Sequence, residues 1–215
     1  MLDETSAVLE RVGLIPVLRA SSIKIGYALV DAMMEGGVTV VEVTMTVPDA
    51  ITLLRELKQR HGNNLVLGSG TVTDAEQAEA TIDAGAEFVV SPSLHLDVIT
   101  KTKALGKISI PGALTPTEVI TAWRAGADYV KVFPCSAMGG ASYLKSLRAP
   151  FPDIRLIPTG GVTLQTAADF LRAGARALGV GTDLVNATAI TEGKPELVTN
   201  MARAYLETIR AARSQ

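Results

Sequence analysis

Ala125-Gly126-Ala127-Asp128-Tyr129-Val130-Lys131-Val132 holds the pattern that decides the fold: a glycine that stops a helix, then at once a short apolar β-branched run. The same punctuation stands at Glu35-Gly36-Gly37 before Val38-Thr39-Val40-Val41 and at Ala84-Gly85-Ala86 before Phe88-Val89-Val90. It returns at Ala173-Gly174-Ala175 before Ala177-Leu178-Gly179-Val180. Glycine ends each helix because it enters the left-handed conformation without Cβ strain, and the strand follows directly, as short helix-to-strand loops allow. Between these copies lie further apolar runs at 14–18, 65–67, 108–110 and 154–157. They are continuous rather than alternating, the mark of parallel strands buried on both faces.

Helix starts separate the runs. Thr73-Asp74-Ala75-Glu76 and Thr115-Pro116-Thr117-Glu118 read as capping boxes, the second with Pro at the first helical position. Ser21 or Ser22, Asp49 and Thr163 are expected to open other helices. Eight strands alternating with helices imply a parallel α/β sheet. Eight units favour closure into a single (β/α)8 TIM barrel over an open doubly wound sheet. A short N-terminal helix precedes the first strand. Residues 195–212 read as an amphipathic C-terminal helix with Leu197, Met201, Tyr205 and Ile209 on its buried face. Trp123 is expected to pack from the fifth inter-strand helix. No composition shift or linker divides the chain, so residues 1–215 are expected to form one domain.

Hydrophobic residues make up 47% of the 215 residues and aromatics only 4%, so the core must be built from Ala, Val, Ile and Leu. A net charge of -2 without Lys/Arg runs leaves no electrostatic footprint for nucleic acid or an anionic membrane. The single Cys135 excludes an internal disulfide framework and suits a reducing cytosol. The first residues, Met1-Leu2-Asp3-Glu4, lack the basic start of a signal peptide, and no apolar run spans a bilayer. The expectation is a cytoplasmic protein.

Charges sort by their place in the strands. Glu87, Lys107, Asp128, Arg155 and Arg176 come early, just after the turn, and read as solvated or structural. Arg19, Glu42 and Lys131 follow apolar strand residues and fall toward the C-terminal ends, where such barrels keep their chemistry. An ammonium at Lys131 costs several kcal/mol in desolvation, roughly, unless it is paired or gives up its proton. Without the proton it is a nucleophile able to form a Schiff base. The bland alternative is a structural lysine paired with Glu42, and a Lys–Glu pair is compatible with both readings.

Pro158-Thr159-Gly160-Gly161-Val162-Thr163 and Gly179-Val180-Gly181-Thr182 follow the last two strands, where barrels commonly hold phosphate on free backbone N–H groups. Gly68-Ser69-Gly70-Thr71, Ser91-Pro92 and Pro111-Gly112 form smaller loops at the same end, with a hydroxyl at Thr71. His61 and His95 read as helix-end residues and make no metal site. Cys135 has no histidine placed to activate it and reads as a filler.

In this order, Ile15-Pro16-Val17-Leu18-Arg19, Val41-Glu42-Val43-Thr44, Gly68-Ser69-Gly70-Thr71-Val72, Val90-Ser91-Pro92, Ile110-Pro111-Gly112, Lys131-Val132-Phe133-Pro134 and Pro158-Thr159-Gly160-Gly161-Val162 resemble a known family over nearly the whole chain. It is that of the class I aldolases for 2-keto-3-deoxy-6-phosphogluconate and 4-hydroxy-2-oxoglutarate (KDPG and KHG). The resemblance implies a metal-independent, cytoplasmic, trimeric lyase with no cofactor beyond the covalent substrate imine. It makes Lys131 the Schiff-base lysine and Glu42 the general acid/base. It sets Thr71, Pro92 and Phe133 around the pyruvate moiety, and Thr159, Gly160, Gly161, Gly181 and Thr182 at the phosphate.

One departure stands out. Where many members carry an Arg four residues after the Glu, this chain has Thr46. Members lacking that Arg have one at the end of the first strand, so Arg19, whose fork suits a carboxylate, takes the role by resemblance. Those members include enzymes for the C4 epimer, 2-keto-3-deoxy-6-phosphogalactonate, which is the alternative substrate. A phosphosugar isomerase or epimerase using Glu42 as base, and a non-catalytic phosphate-binding barrel, are the readings from other classes.

Overall fold

The computed structural model describes residues 4–214; the Met1-Leu2-Asp3 part of the leader reading lies outside them. Helix α1 (Glu4–Val12) leads into β1 (Leu14–Leu18), α2 (Ile23–Glu35), β2 (Val40–Thr44), α3 (Ala50–His61) and β3 (Val66–Gly70). Next come α4 (Ala75–Asp83), β4 (Phe88–Val90), α5 (Leu96–Ala104), β5 (Ile108–Ile110), β6 (Gly112–Ala113) and α6 (Pro116–Arg124). The chain continues through β7 (Val130–Val132), α7 (Ala141–Arg148), β8 (Leu156–Pro158), α8 (Ala167–Arg172), β9 (Leu178–Val180), α9 (Ala187–Thr191) and α10 (Pro195–Arg213). Among the described residues, no helix is long and apolar enough to cross a membrane.

The glycine punctuation works as expected. Gly37, Gly85, Gly126 and Gly174 have φ of 94°, 112°, 97° and 95°. In each case the next residue donates its N–H to a carbonyl five residues back: Val38 to Met33, Ala86 to Thr81, Ala127 to Ala122, Ala175 to Phe170. These are Schellman closures, and each delivers the chain straight into a strand.

All strand pairings are parallel, in a six-stranded sheet of order β5-β4-β3-β2-β1-β9 and a three-stranded sheet of order β6-β7-β8. The expected fifth strand is two short ones because the chain changes partner at Pro111, pairing with β4 before it and β7 after it. Proline has no N–H to carry a ladder across that point. Backbone bonds link the sheets at both seams. Lys131 N–H donates to the Pro111 carbonyl (2.9 Å) and Arg176 N–H to the Leu156 carbonyl (3.0 Å), and Thr159 bridges Gly179.

Alternation along the strands divides the core into two layers. Ile15, Val40, Phe88, Val90, Ile108, Ile110, Tyr129 and Ile157 face one cluster, closed at the N-terminal ends of the strands by Leu9 of α1. Leu14, Leu18, Val41, Val43, Val130, Val132 and Leu178 face the helices. Charges early in the strands are anchored as expected. Glu87 pairs with Lys58 at 2.9 Å, Asp128 with Lys103 at 2.7 Å, and the Arg155 guanidinium lies 5.7 Å from the Trp123 ring centroid.

Four local expectations are corrected. The α4 cap is Asp74, whose side chain accepts from Gln77 N–H, rather than Thr73 with Glu76. Helix α8 starts at Ala167, not at Thr163, because Thr166 Oγ1 takes the Thr163 N–H and holds a turn ahead of the helix. Several strands start one or two residues later than their apolar runs, as at β3 and β8, where Gly and Pro join the ladders. Helix α10 buries Val198, Thr199, Ala202, Tyr205 and Ile209 and leaves Leu197 49% exposed, so its buried face is rotated from the one expected. The expected capping box at Thr115 and Glu118 and the Ser22 cap are present.

Candidate active site

Strand alternation decides which side chains meet. In β7, Val130 and Val132 point at the helices, so Lys131 shares the inner face with Tyr129. In β2, Val41 and Val43 do the same, and Glu42 lies on the inner face with Val40. Lys131 is 5% exposed and Glu42 3%, with Nζ 4.0 Å from Oε1. That is an ion-pair contact without a hydrogen bond, and Glu42 Oε1 has no hydrogen-bond partner among the described residues. Burial pushes the Glu42 carboxyl above the ordinary 4.5, opposed by the nearby charges of Lys131 and then Arg19. The pair therefore combines an amine with a carboxyl biased toward holding a proton.

Glycines make the room. A Cβ on Gly70 would stand 1.9 Å from Glu42 Oε1, and one on Gly179 would stand 2.1 Å from Thr159 Oγ1. Neither glycine has a positive φ, so their absent side chains serve close approach.

Above Lys131 opens a cavity of about 420 Å³, at the C-terminal ends of the strands. Its walls are Val17 of β1 and Arg19 just after it, Lys131 of β7 and Phe133 just after it, Thr159 to Thr163 after β8, and Gly179 and Gly181 to Asp183 around β9. Lys131 Nζ lies 5.1 Å from the centroid of the Phe133 ring. Arg19 and Lys131 are the cations of this wall. In the same wall, the N–H groups of Gly160, Gly161, Val162, Gly181 and Thr182 donate to no other backbone group among the described residues. Those of Thr163 and Leu164 are already taken, by Thr166 Oγ1 and Asp183 Oδ2. The glycine loops lining the cavity thus keep donors available for an anion.

Of the residues expected around a ligand, Lys131, Arg19, Phe133, Thr159, Gly160, Gly161, Gly181 and Thr182 line this cavity together, with Glu42 directly behind Lys131. Thr71 and Pro92 do not line it. Thr71 follows β3 with φ of 59°, a left-handed conformation that is costly for a β-branched residue and often marks a functional turn. Pro92 lies half-buried with its carbonyl against Gly112. Thr46 is exposed and shares a hydrogen bond with Thr44, so no cation comes from that position. Cys135 is buried, and desolvation raises its thiol to about 11, in keeping with a filler. His95 meets Ser93 at 2.9 Å and His61 lies 3.8 Å from Asp31. Among the described residues, no group of three His, Cys, Asp or Glu could hold a metal ion.

The sequence reading missed Asp183. It accepts from Leu164 N–H at 3.1 Å and from the Tyr205 hydroxyl at 2.5 Å. The available signal was a carboxylate directly after the second glycine loop, together with a tyrosine hydroxyl on the buried stripe of α10.

Comparison with known proteins gives the same answer from several directions. A family model described as KDPG and KHG aldolase matches residues 5–201. The 2-dehydro-3-deoxy-6-phosphogalactonate aldolase of Escherichia coli (strain K12) is 33% identical, the match covering 92% of this chain and 96% of that one. The 2-dehydro-3-deoxy-phosphogluconate aldolase of Treponema pallidum (strain Nichols) is also 33% identical, over 94% and 95%. Among solved structures, a KDPG aldolase from Legionella pneumophila, with pyruvate captured as a covalent carbinolamine intermediate, superposes with a TM-score of 0.87. It is 28% identical, over 95% of this chain and 99% of that one.

Proposed function

The chain belongs to the KDPG and KHG aldolase family, and from that premise we propose that it cleaves a 2-keto-3-deoxy-6-phospho sugar acid through an imine on Lys131. The observation that carries this reading is the buried Lys131–Glu42 pair, 4.0 Å apart, with Lys131 in the wall of a cavity whose glycine loops offer N–H groups not used by the described backbone. The Lys131 amine adds to C2 of the keto acid, and loss of water leaves a protonated imine. Glu42, directly or through a water, takes the proton of the C4 hydroxyl. The C3–C4 electron pair then moves into the iminium, giving an enamine and releasing an aldehyde. Protonation at C3 and hydrolysis free pyruvate and restore the amine.

The remaining parts have definite tasks. Arg19 lies in the same wall as Lys131 and near enough to act on the Glu42 charge, so it can hold the substrate carboxylate in place of the missing Arg at Thr46. The donors around Thr159, Gly160, Gly161, Gly181 and Thr182 take the phosphate, whose binding orients the scissile bond. Thr71 and Pro92 border the pyruvate end by family resemblance. With 2-keto-3-deoxy-6-phosphogluconate the second product is glyceraldehyde 3-phosphate; with 4-hydroxy-2-oxoglutarate it is glyoxylate. Thr46 and the Escherichia coli relative favour a second reading, the galactonate epimer.

The two hydrogen-bonded seams support reading both sheets as one closed (β/α)8 barrel over the whole chain, with family resemblance adding a cytoplasmic homotrimer. The deciding experiment is a substrate panel, read by pyruvate release, over both epimers and 4-hydroxy-2-oxoglutarate. Release from a phosphorylated epimer supports the proposal, and the higher kcat/KM names the substrate. Release from none of the three refutes it.

A further inference from the structure

Asp183 is a carboxylate in the wall of the cavity, on the loop that follows β9 and two residues after Gly181. A negative charge there opposes any anion held by the neighbouring N–H groups. Its bonding gives it another use. One oxygen, Oδ2, accepts both the Leu164 N–H of the loop after β8 and the hydroxyl of Tyr205 in α10. Asp183 therefore ties together three separate segments: the two glycine loops and the C-terminal helix.

Tyr205 explains the fixation. Its side chain is fully buried on the inward face of α10, and among the described residues its hydroxyl bonds only to Asp183. A phenylalanine would dock that helix equally well, so the hydroxyl serves the carboxylate rather than the packing. Leu164 stands three residues after Gly161, so taking its N–H anchors the loop that carries the Gly160-Gly161-Val162 donors. We propose that Asp183, held by Tyr205, is a positioning residue that sets the spacing of the two glycine loops and so the affinity for the phosphorylated end of the substrate. This rests on the phosphate reading given above. It adds a residue that acts through the Leu164 N–H on the remote end of the ligand and not on the reacting carbons.

The test is a comparison of kcat and KM for Tyr205→Phe, Asp183→Ala and the double variant. The two substrates are the phosphorylated keto acid and 4-hydroxy-2-oxoglutarate, which uses the same lysine but carries no phosphate. Inorganic phosphate serves as a competitive probe of the loops. Tyr205→Phe is expected to raise KM for the phosphorylated substrate and the phosphate inhibition constant by about three- to tenfold, as loss of one hydrogen bond would. The kcat/KM for 4-hydroxy-2-oxoglutarate should stay within about twofold on the same reasoning. The double variant should be no worse than Asp183→Ala alone, because the hydroxyl acts only through the carboxylate. Equal losses on both substrates, or unchanged phosphate inhibition in folded variants, would overturn the proposal. Failure of the underlying reading looks different: wild-type enzyme that phosphate does not inhibit removes the phosphate site itself.

Discussion

Replacing Gly70 by Ala tests whether the place of the Glu42 carboxyl matters to the chemistry. Gly70 ends β3 without a positive φ, so its backbone accepts a side chain. The new Cβ would lie 1.9 Å from Glu42 Oε1 and 2.6 Å from both Cδ and Cγ. Restoring an ordinary 3.4 Å contact moves the oxygen away by about 1.5 Å, the difference between those separations. A carboxyl displaced that far no longer reaches the C4 hydroxyl in line, and misplacement by about 1 Å can cost on the order of 100-fold in rate. The clash reaches Cγ of a buried side chain, and overpacking of this kind costs about 1–3 kcal/mol of stability. The assay is steady-state pyruvate release, with thermal unfolding run in parallel. A folded variant with kcat lowered by about two orders of magnitude agrees with the reasoning. A folded variant retaining activity within about threefold would show that the Glu42 position does not limit the reaction.

Two further outcomes follow from burial. Because desolvation raises the Glu42 carboxyl above 4.5, keeping it ionised at neutral pH costs stability, a cost absent below its unfolded pKa. Glu42→Gln is therefore expected to melt above wild type at pH 8, by about 2–4 °C per kcal/mol relieved. The gap should close as pH falls toward 4.5, and scanning calorimetry across that range checks the sign. Cys135, with its thiol raised to about 11, should resist iodoacetamide at pH 8 in the native protein and react after unfolding in urea. Rapid native alkylation would contradict its placement in the core.

How much of this was legible in the sequence depended on the range of the cause. The Schellman glycines and the Thr115 capping box are local devices, and they fold as read. Strand ends were less legible, since Gly70 and Pro158 extend ladders that an apolar count ends too early. Lys131 and Glu42 stood out because a charge in an apolar strand has few innocent explanations, and alternation then places both on one face. The buried face of α10 was misjudged because Val198 and Leu197 are adjacent and equally apolar, and only the packing partner chooses between them. Asp183 stayed hidden for a similar reason. Its meaning depends on Leu164 and Tyr205, 19 and 22 residues away, which no local pattern joins to it.

The central claim is the covalent role of Lys131, and trapping tests it most directly. Incubation with pyruvate and borohydride, followed by peptide mass mapping, should place a single reduced adduct on Lys131 and abolish activity in proportion to labelling. Lys131→Ala should take up no label and release no pyruvate. A labelled lysine elsewhere, or activity that survives borohydride with pyruvate, would contradict the account.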